Sequence, residues 1–549
     1  MSETIDTLNS PKAIIGEPSK RRLAQWTDRV DALCLQLGDL MNPILVKETR
    51  QALKSRQFVI TFSVLLIAAL AWTVIGSLSM MPQIYTSPSA PRMLVGYYVV
   101  LAIPMLLVVP LAAYRSLEGE IDDGTLELLS ITTMLPWQIV LGKLASASLQ
   151  MVLYLVALFP CVAYAYTLRG VDLPTTMIII GVLVASALLL TVVALFFAPL
   201  SRTRTGRIGT LLAVMLILIN AEWGVGAMVI SMILYGNPLP IDWVMFLTAA
   251  VVLVGLALGH LLLTATAAQL TPESENRSTP LRISLLILSS VMVGLSAYAC
   301  TELGETGLAV HGVFAMSLAT IWLLCGALMS AESTVMTPRI RRELPQSFAA
   351  RLALTWLTPG PGTGLVFASV CILLLCGASV VGLYYSITMY APGRGIGTAV
   401  WRQFVQLHVL YASYAIAMLC LVRAVVAIVR MKNQPPVQVG IAAFLAIAVV
   451  VALVPYSVGL HYNDYRPYAY SWWQLPNWAW TFQQSLDRSL LRGEEYVIAF
   501  AAGCMLMGAL MLSPSLVMPR RTATPRRVKE ERLAESRVGT APPDPDAVT

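Results

Sequence analysis

The sequence predicts an all-α, polytopic membrane protein of about twelve transmembrane helices, and three observations carry that prediction. The first is composition. Of 549 residues, 57% are hydrophobic and 12% are charged, about half the roughly 25% charged residues of a soluble globular chain. So few charges cannot coat a water-facing surface of this size, and most of the outer surface must meet lipid. The second is the recurrence of apolar runs long enough to cross about 30 Å of hydrocarbon, with a mean hydropathy of +0.72. The third is the placement of charge. The net charge is +7, but the lysines and arginines fall in short segments between apolar runs. That pattern sets membrane orientation and argues against a nucleic-acid face.

The chain opens with a polar arm, residues 1–40, that has no early apolar stretch and no cleavage site. The first span is therefore expected to direct insertion itself. Next comes Asn42–Arg56. Drawn as a helix, it gathers Leu45, Val46, Thr49, Ala52 and Leu53 within an arc of about 120°, with Lys47, Glu48, Arg50, Gln51, Lys54 and Ser55 opposite. Asn42 as cap and Pro43 at the first position make a good helix start. Such a helix is expected to lie in the membrane interface and turn sharply into the first span; an ordinary basic juxtamembrane anchor is the plainer alternative.

The first six spans are expected at Gln57–Ser79, Met93–Ala113, Leu144–Leu168, Thr175–Pro199, Ile208–Tyr235 and Trp243–Ala268. The second six are expected at Ile283–Cys300, Ala309–Met329, Gly364–Met389, Phe404–Val429, Val439–Leu460 and Tyr496–Val517. With both termini cytoplasmic, 29 of the 37 basic residues fall inside and 7 outside, and Arg423 lies within a span. A missed or invented span would invert every later segment and spoil that bias. Residues 41–270 are thus read as one six-helix membrane domain and 271–518 as a second, divergent or accessory in character. Residues 519–549 are read as a disordered cytoplasmic tail.

The segment after the second span reads Glu118-Gly119-Glu120-Ile121-Asp122-Asp123-Gly124-Thr125-Leu126-Glu127, followed at Pro136 by a run ending in Gly142-Lys143. Five acidic residues in ten form a negative cluster on the side where positive charge predominates. Asp123 before Gly124-Thr125 can end one helix and begin another, which predicts a short cytoplasmic helix. A solvated loop accounts for the charge but not for the ordered alternation of acidic, Gly-Thr and Leu residues.

At these two places the chain resembles the membrane subunit of type-2 ATP-binding-cassette (ABC) exporters, closest in flavour to the permease component described as involved in multi-copper enzyme maturation. The resemblance covers Met41–Tyr235. It implies that Asn42, Pro43, Lys47, Glu48 and Arg50 belong to an elbow helix. It implies too that Glu118, Glu120, Gly124, Thr125 and Glu127, with Lys143 facing the same interface, couple the spans to a separate ABC ATPase subunit. ATP and magnesium would then be held by that partner and no cofactor by this chain. A second permease or a homodimeric mate would complete the assembly, in the plasma (inner) membrane of a bacterium. Two departures stand out. Thr132-Thr133 occupy the place where the family often has Thr-Pro, and the family's usual unit has six spans. The cytoplasmic segment Ala331–Gly364 also lacks the acidic Gly-Thr-Leu-Glu signature.

No phosphate-binding Gly-x-x-x-x-Gly-Lys-Ser/Thr loop occurs. Ionisable residues within spans are default site candidates. Glu222, beside Asn220 and Trp223, is a polar point in a translocation path, a partner for Arg423, or a packing residue. His260 reads as a packing histidine. The four histidines and eight cysteines show no metal or disulfide spacing, so no metal site is expected. The tryptophans of the external loop His461–Glu495 read as an interfacial belt rather than a ligand lid. The leading expectation is an ABC permease subunit, with no enzyme activity on this chain. A twelve-helix secondary transporter is the alternative, and it calls for broken helices and paired halves. An integral membrane enzyme lacks a nucleophile motif or histidine cluster.

Overall fold

The computed structural model describes residues 43–531 apart from 83–86, 125–134, 169, 172, 202, 236–239, 273–274, 334–335, 346, 391–397, 433–435, 487–493, 518, 520, 523–524 and 529. Among the described residues every regular element is helical. The chain divides into two compact units, Met1–Tyr235 and Gly236–Thr549. The expected arm over residues 1–40 and most of the tail lie outside the described residues.

The first unit begins with α1, Pro43–Lys54. Ser55 alone separates it from α2, Arg56–Ser79; its hydroxyl accepts the Phe58 N–H at 3.1 Å, capping the new helix. Then come α3 over Ala90–Asp122, α4 over Pro136–Thr167, α5 over Leu173–Phe197 and α6 over Arg204–Tyr235. Helix α3 is the hub and packs on α2, α4, α5 and α6. Its middle, Ile103–Val108, winds as a π-helix around Pro104. Proline cannot supply a ladder N–H, and such bulges are a common accommodation.

Polar side chains stitch these helices where no water competes. Thr61 bonds Tyr154 at 2.8 Å, Thr73 bonds Tyr97 at 2.7 Å and Ser77 bonds Tyr164 at 2.8 Å. Hydroxyl pairs of this kind join membrane helices that have no hydrophobic drive toward one another. Along α2, Val59, Ile60, Val64, Ile67, Leu70, Val74, Ile75 and Leu78 are all more than half exposed. So broad an exposed apolar face along a whole helix is stable only in hydrocarbon.

The second unit contains α7 over Ile241–Leu270, α8 over Ser278–Glu302 and α9 over Gly304–Ser330. Two short helices follow, α10 over Pro338–Glu343 and α11 over Phe348–Leu354. The remainder is α12 over Pro361–Tyr390, α13 over Thr398–Arg430, α14 over Val439–Tyr462, α15 over Trp478–Leu486 and α16 over Glu494–Leu512. Its core centres on Trp322, buried on α9, which donates to Ser289 Oγ at 2.9 Å and packs on Phe367.

Among the described residues, eleven helices are long and apolar enough to cross a bilayer, and the chain is a multi-pass membrane protein. They match the first eleven expected spans. At the twelfth, α16 ends at Leu512 and its described apolar portion, Phe500–Leu512, is shorter than a full crossing. The division between units also falls earlier than residue 270, because α7 packs along α8 and groups with the second unit.

Candidate functional site

The sequence singled out the helix before the first span and the acidic segment after the second, and four helices of the first unit converge there. Lys143 lies two turns into α4, and its side chain is 2% exposed. Its ammonium sits 3.3 Å from Glu48 Oε1 on α1, 3.1 Å from Glu120 Oε2 near the end of α3, and donates to Ser116 Oγ at 2.8 Å. Ser116 in turn donates to Glu48 Oε2 at 3.3 Å. Lys47, at the exposed edge, adds a second cation 3.5 Å from Glu120.

An ammonium and two carboxylates out of water would each be costly alone. Together they satisfy one another, and the ring Glu48–Lys143–Glu120–Ser116 fastens α1, α3 and α4 at one point. The neighbouring carboxylates are engaged as well. Asp122 pairs with Arg207 on α6. Tyr114, buried, donates to Glu118 at 3.3 Å and bonds Thr210 on α6 at 3.0 Å.

This geometry bears on several expectations. Glu118, Glu120 and Asp122 form the last turns of α3, which stops at Asp123 as the sequence allowed; the short helix expected after it falls on residues 125–134, outside the described residues. Lys143, expected to face a partner, is buried and turned inward. Ser116, Tyr114 and Arg207 were missed, since nothing in their spacing marks them. Gly124 lies just past the end of α3 with φ +66°, and its N–H bonds the Ile121 carbonyl at 3.3 Å. That left-handed position after a helix favours glycine. A Cβ there would meet nothing within 4 Å among the described residues. Asn42, Thr125 and Glu127 lie outside the described residues. Pro43, Lys47, Glu48 and Arg50 are all on α1, with Lys47 and Arg50 exposed and Glu48 buried.

The proposed path residues are placed as follows. Asn220 is exposed on α6 and donates to its own helix at Leu216 O, 2.8 Å away. Glu222 is half-buried on the same helix, within electrostatic reach of Tyr98 on α3. Arg423 belongs to the second unit, on α13, where its buried Nη1 has no hydrogen-bond partner among the described residues.

The second unit carries its own buried cation. Arg282, near the start of α8, is fully buried. Its Nη1 donates to the carbonyls of Trp356 and Thr358 at 2.5 and 2.7 Å, and its Nη2 pairs with Glu332 at 2.7 Å. Glu332 also accepts the N–H of Gly360, itself at φ +145°, at 2.7 Å. Among the described residues no group of three or more His, Cys, Asp or Glu could hold a metal ion. In both clusters the charged groups are engaged with one another and with hydroxyl or carbonyl groups of the chain itself. What both can do is bear load between helices. No family model, curated protein or solved structure matches the chain.

Proposed function

We propose that the chain is the membrane-spanning permease subunit of an ABC exporter, driven by ATP hydrolysed on a separate subunit. The observation that carries the reading is the buried Lys143, bonded at once to Glu48 on α1 and Glu120 at the end of α3. A force applied beyond Asp123 would reach the base of the membrane helices through that ring rather than dissipate in a loop. Within this reading Glu120, Lys143 and Glu48 position the lever. Docking on the ATPase falls to Gly124, Thr125 and Glu127 at its tip. Glu222 on α6 offers the polar point of a path.

A secondary transporter that needs no ATPase draws on one specific observation, the π-helical break in the middle of α3. Co-purification separates the two. The tagged chain, expressed with its genomic neighbours and solubilised in mild detergent, should retain an ATPase in stoichiometric amount. A chain that purifies alone under every mild condition, yet moves substrate down an ion gradient, contradicts the proposal.

A further inference from the structure

The second unit holds a cavity of about 490 Å³ between α8, α9, α12 and α13, with Phe482 and Leu486 of α15 also in its lining. This falls within the range of about 300–1,000 Å³ typical of small-molecule sites. Trp322, Phe314, Phe404 and Tyr411 supply aromatic walls, and among the described residues no acidic or basic side chain other than histidine lines it. Through the wall runs a continuous chain of hydrogen bonds. Ser296 Oγ lies 2.5 Å from His311 Nδ1, and His311 Nε2 lies 2.9 Å from Ser379 Oγ. Ser379 Oγ is also 2.9 Å from His408 Nε2, while His408 Nδ1 is 2.9 Å from the Phe404 carbonyl.

The direction of this chain follows from its end. The Phe404 carbonyl only accepts, so His408 carries its proton on Nδ1 and, as a neutral ring, accepts at Nε2. Ser379 must therefore donate to His408 and accept from His311 Nε2–H. That leaves His311 Nδ1 to accept from Ser296. Every ring nitrogen is used. What remains open toward the cavity, among the described residues, is acceptor capacity on Ser379 and Ser296. A helix interior is close-packed, and a void of this size forfeits contacts on all its walls. Satisfying two histidines does not require one.

We propose that this cavity binds an uncharged, mainly apolar small molecule that carries a hydroxyl or N–H donor and presents it to Ser379 and Ser296. Wall composition sets the first property, since a charged ligand would find no counter-ion. Open serine lone pairs set the second. Met316 and Leu486, on the rim, are 74% and 61% exposed, so the cavity reaches the apolar surface of the unit, from which a hydrophobic ligand would enter. The tryptophan-rich segment over 472–486 has a part in this that its belt-like composition does not reveal. Trp478 donates to Ala448 O on α14 at 2.9 Å, and Gln403 on α13 holds the carbonyls of Ser485 and Leu486 at 2.7 and 2.9 Å. These bonds seat α15 as a cap over the cavity. The inference does not depend on the ATPase reading.

The test uses the full chain in lipid nanodiscs and a phenol bearing a trifluoromethyl diazirine as photolabel, with adducts mapped by mass spectrometry. Adducts are expected on cavity-facing residues of α8, α9, α12 and α13. Unlabelled β-naphthol should compete about fivefold better than its methyl ether, which keeps the ring and loses the donor, as one net hydrogen bond of about 1 kcal/mol implies. A Cβ on Gly312 meets nothing within 4 Å, so Gly312→Phe should fill the cavity and abolish those adducts. Adducts confined to lipid-facing residues, or equal competition by naphthol and ether, overturn the proposal. The competition series on the wild-type chain decides the matter even where Gly312→Phe fails to fold.

Discussion

Each unit buries a basic residue near the start of a membrane helix, and the two are held in different ways. In the first unit the cation is a lysine shared between two carboxylates on two other helices, Glu48 on α1 and Glu120 on α3. In the second it is an arginine with one carboxylate, Glu332, and two backbone carbonyls. An ammonium is a compact point charge that bonds in any direction, whereas a guanidinium fork fits a fixed, planar set of acceptors. The lysine site thus ties three helices by charge, and the arginine site clamps a loop by shape. In the proposed reading the first is a joint and the second a staple. That difference is why the proposed coupling role goes to the first unit, although the second also has an interhelical segment rich in basic residues between Arg339 and Arg351.

The largest effect is expected at the joint. Lys143→Met removes the ammonium that Glu48 and Glu120 share, leaving Glu48 with Ser116 and Glu120 with the exposed Lys47, and breaking a buried pair from one side costs up to about 3–5 kcal/mol. Thermal unfolding in detergent should show a marked fall in stability. Part of it should return when Glu48→Gln and Glu120→Gln are added, because the stranded charges are then gone. A Lys143→Met chain as stable as wild type would remove the joint from the account.

Arg282→Lys tests the staple. It keeps the charge and the reach to Glu332 but gives up the fork on Trp356 and Thr358. Losing one charged hydrogen bond costs about 1.5–3 kcal/mol, and the same thermal measurement should place Arg282→Lys between wild type and Lys143→Met. Tolerance of lysine there would mean that both sites work by charge and that the contrast is false. Smaller still is Gly124→Ala. The left-handed φ penalises a Cβ by about 1–2 kcal/mol, yet nothing among the described residues stands in its way. Gly124→Asn, which enters that region more easily, should recover most of the loss.

Much of this architecture is legible in the sequence and some is not, for physical reasons. Long apolar runs and the bias of basic residues report on lipid directly, so eleven spans appear where hydropathy puts them. The helix at Pro43–Lys54 is likewise visible from its apolar arc and its proline start. Pairings across space are not visible. Glu48 and Lys143 are 95 positions apart, and nothing in either neighbourhood names the other. His311, Ser379 and His408 read as scattered polar residues and meet only because α9, α12 and α13 pack side by side. The acidic run at 118–122 shows the same limit. Its charge density is plain in the sequence, whereas the pairing of Glu120 with Lys143 and of Asp122 with Arg207 appears only in the fold. Sequence gives the sign of a charge, and only the fold gives its partner.

That last point changes how the central claim is best tested. Reversing Glu120 would break the joint and confuse docking with folding, so the probe belongs at the tip of the lever. Gly124→Trp adds bulk where the described structure leaves open space, and Arg341→Trp does the same on the exposed face of α10 in the second unit. The measurement is the amount of ATPase retained by each tagged chain after solubilisation. The account predicts that wild type and Arg341→Trp keep it and Gly124→Trp releases it, with all three still folded. Retention by Gly124→Trp, or release by Arg341→Trp alone, would contradict the assignment of coupling to the first unit.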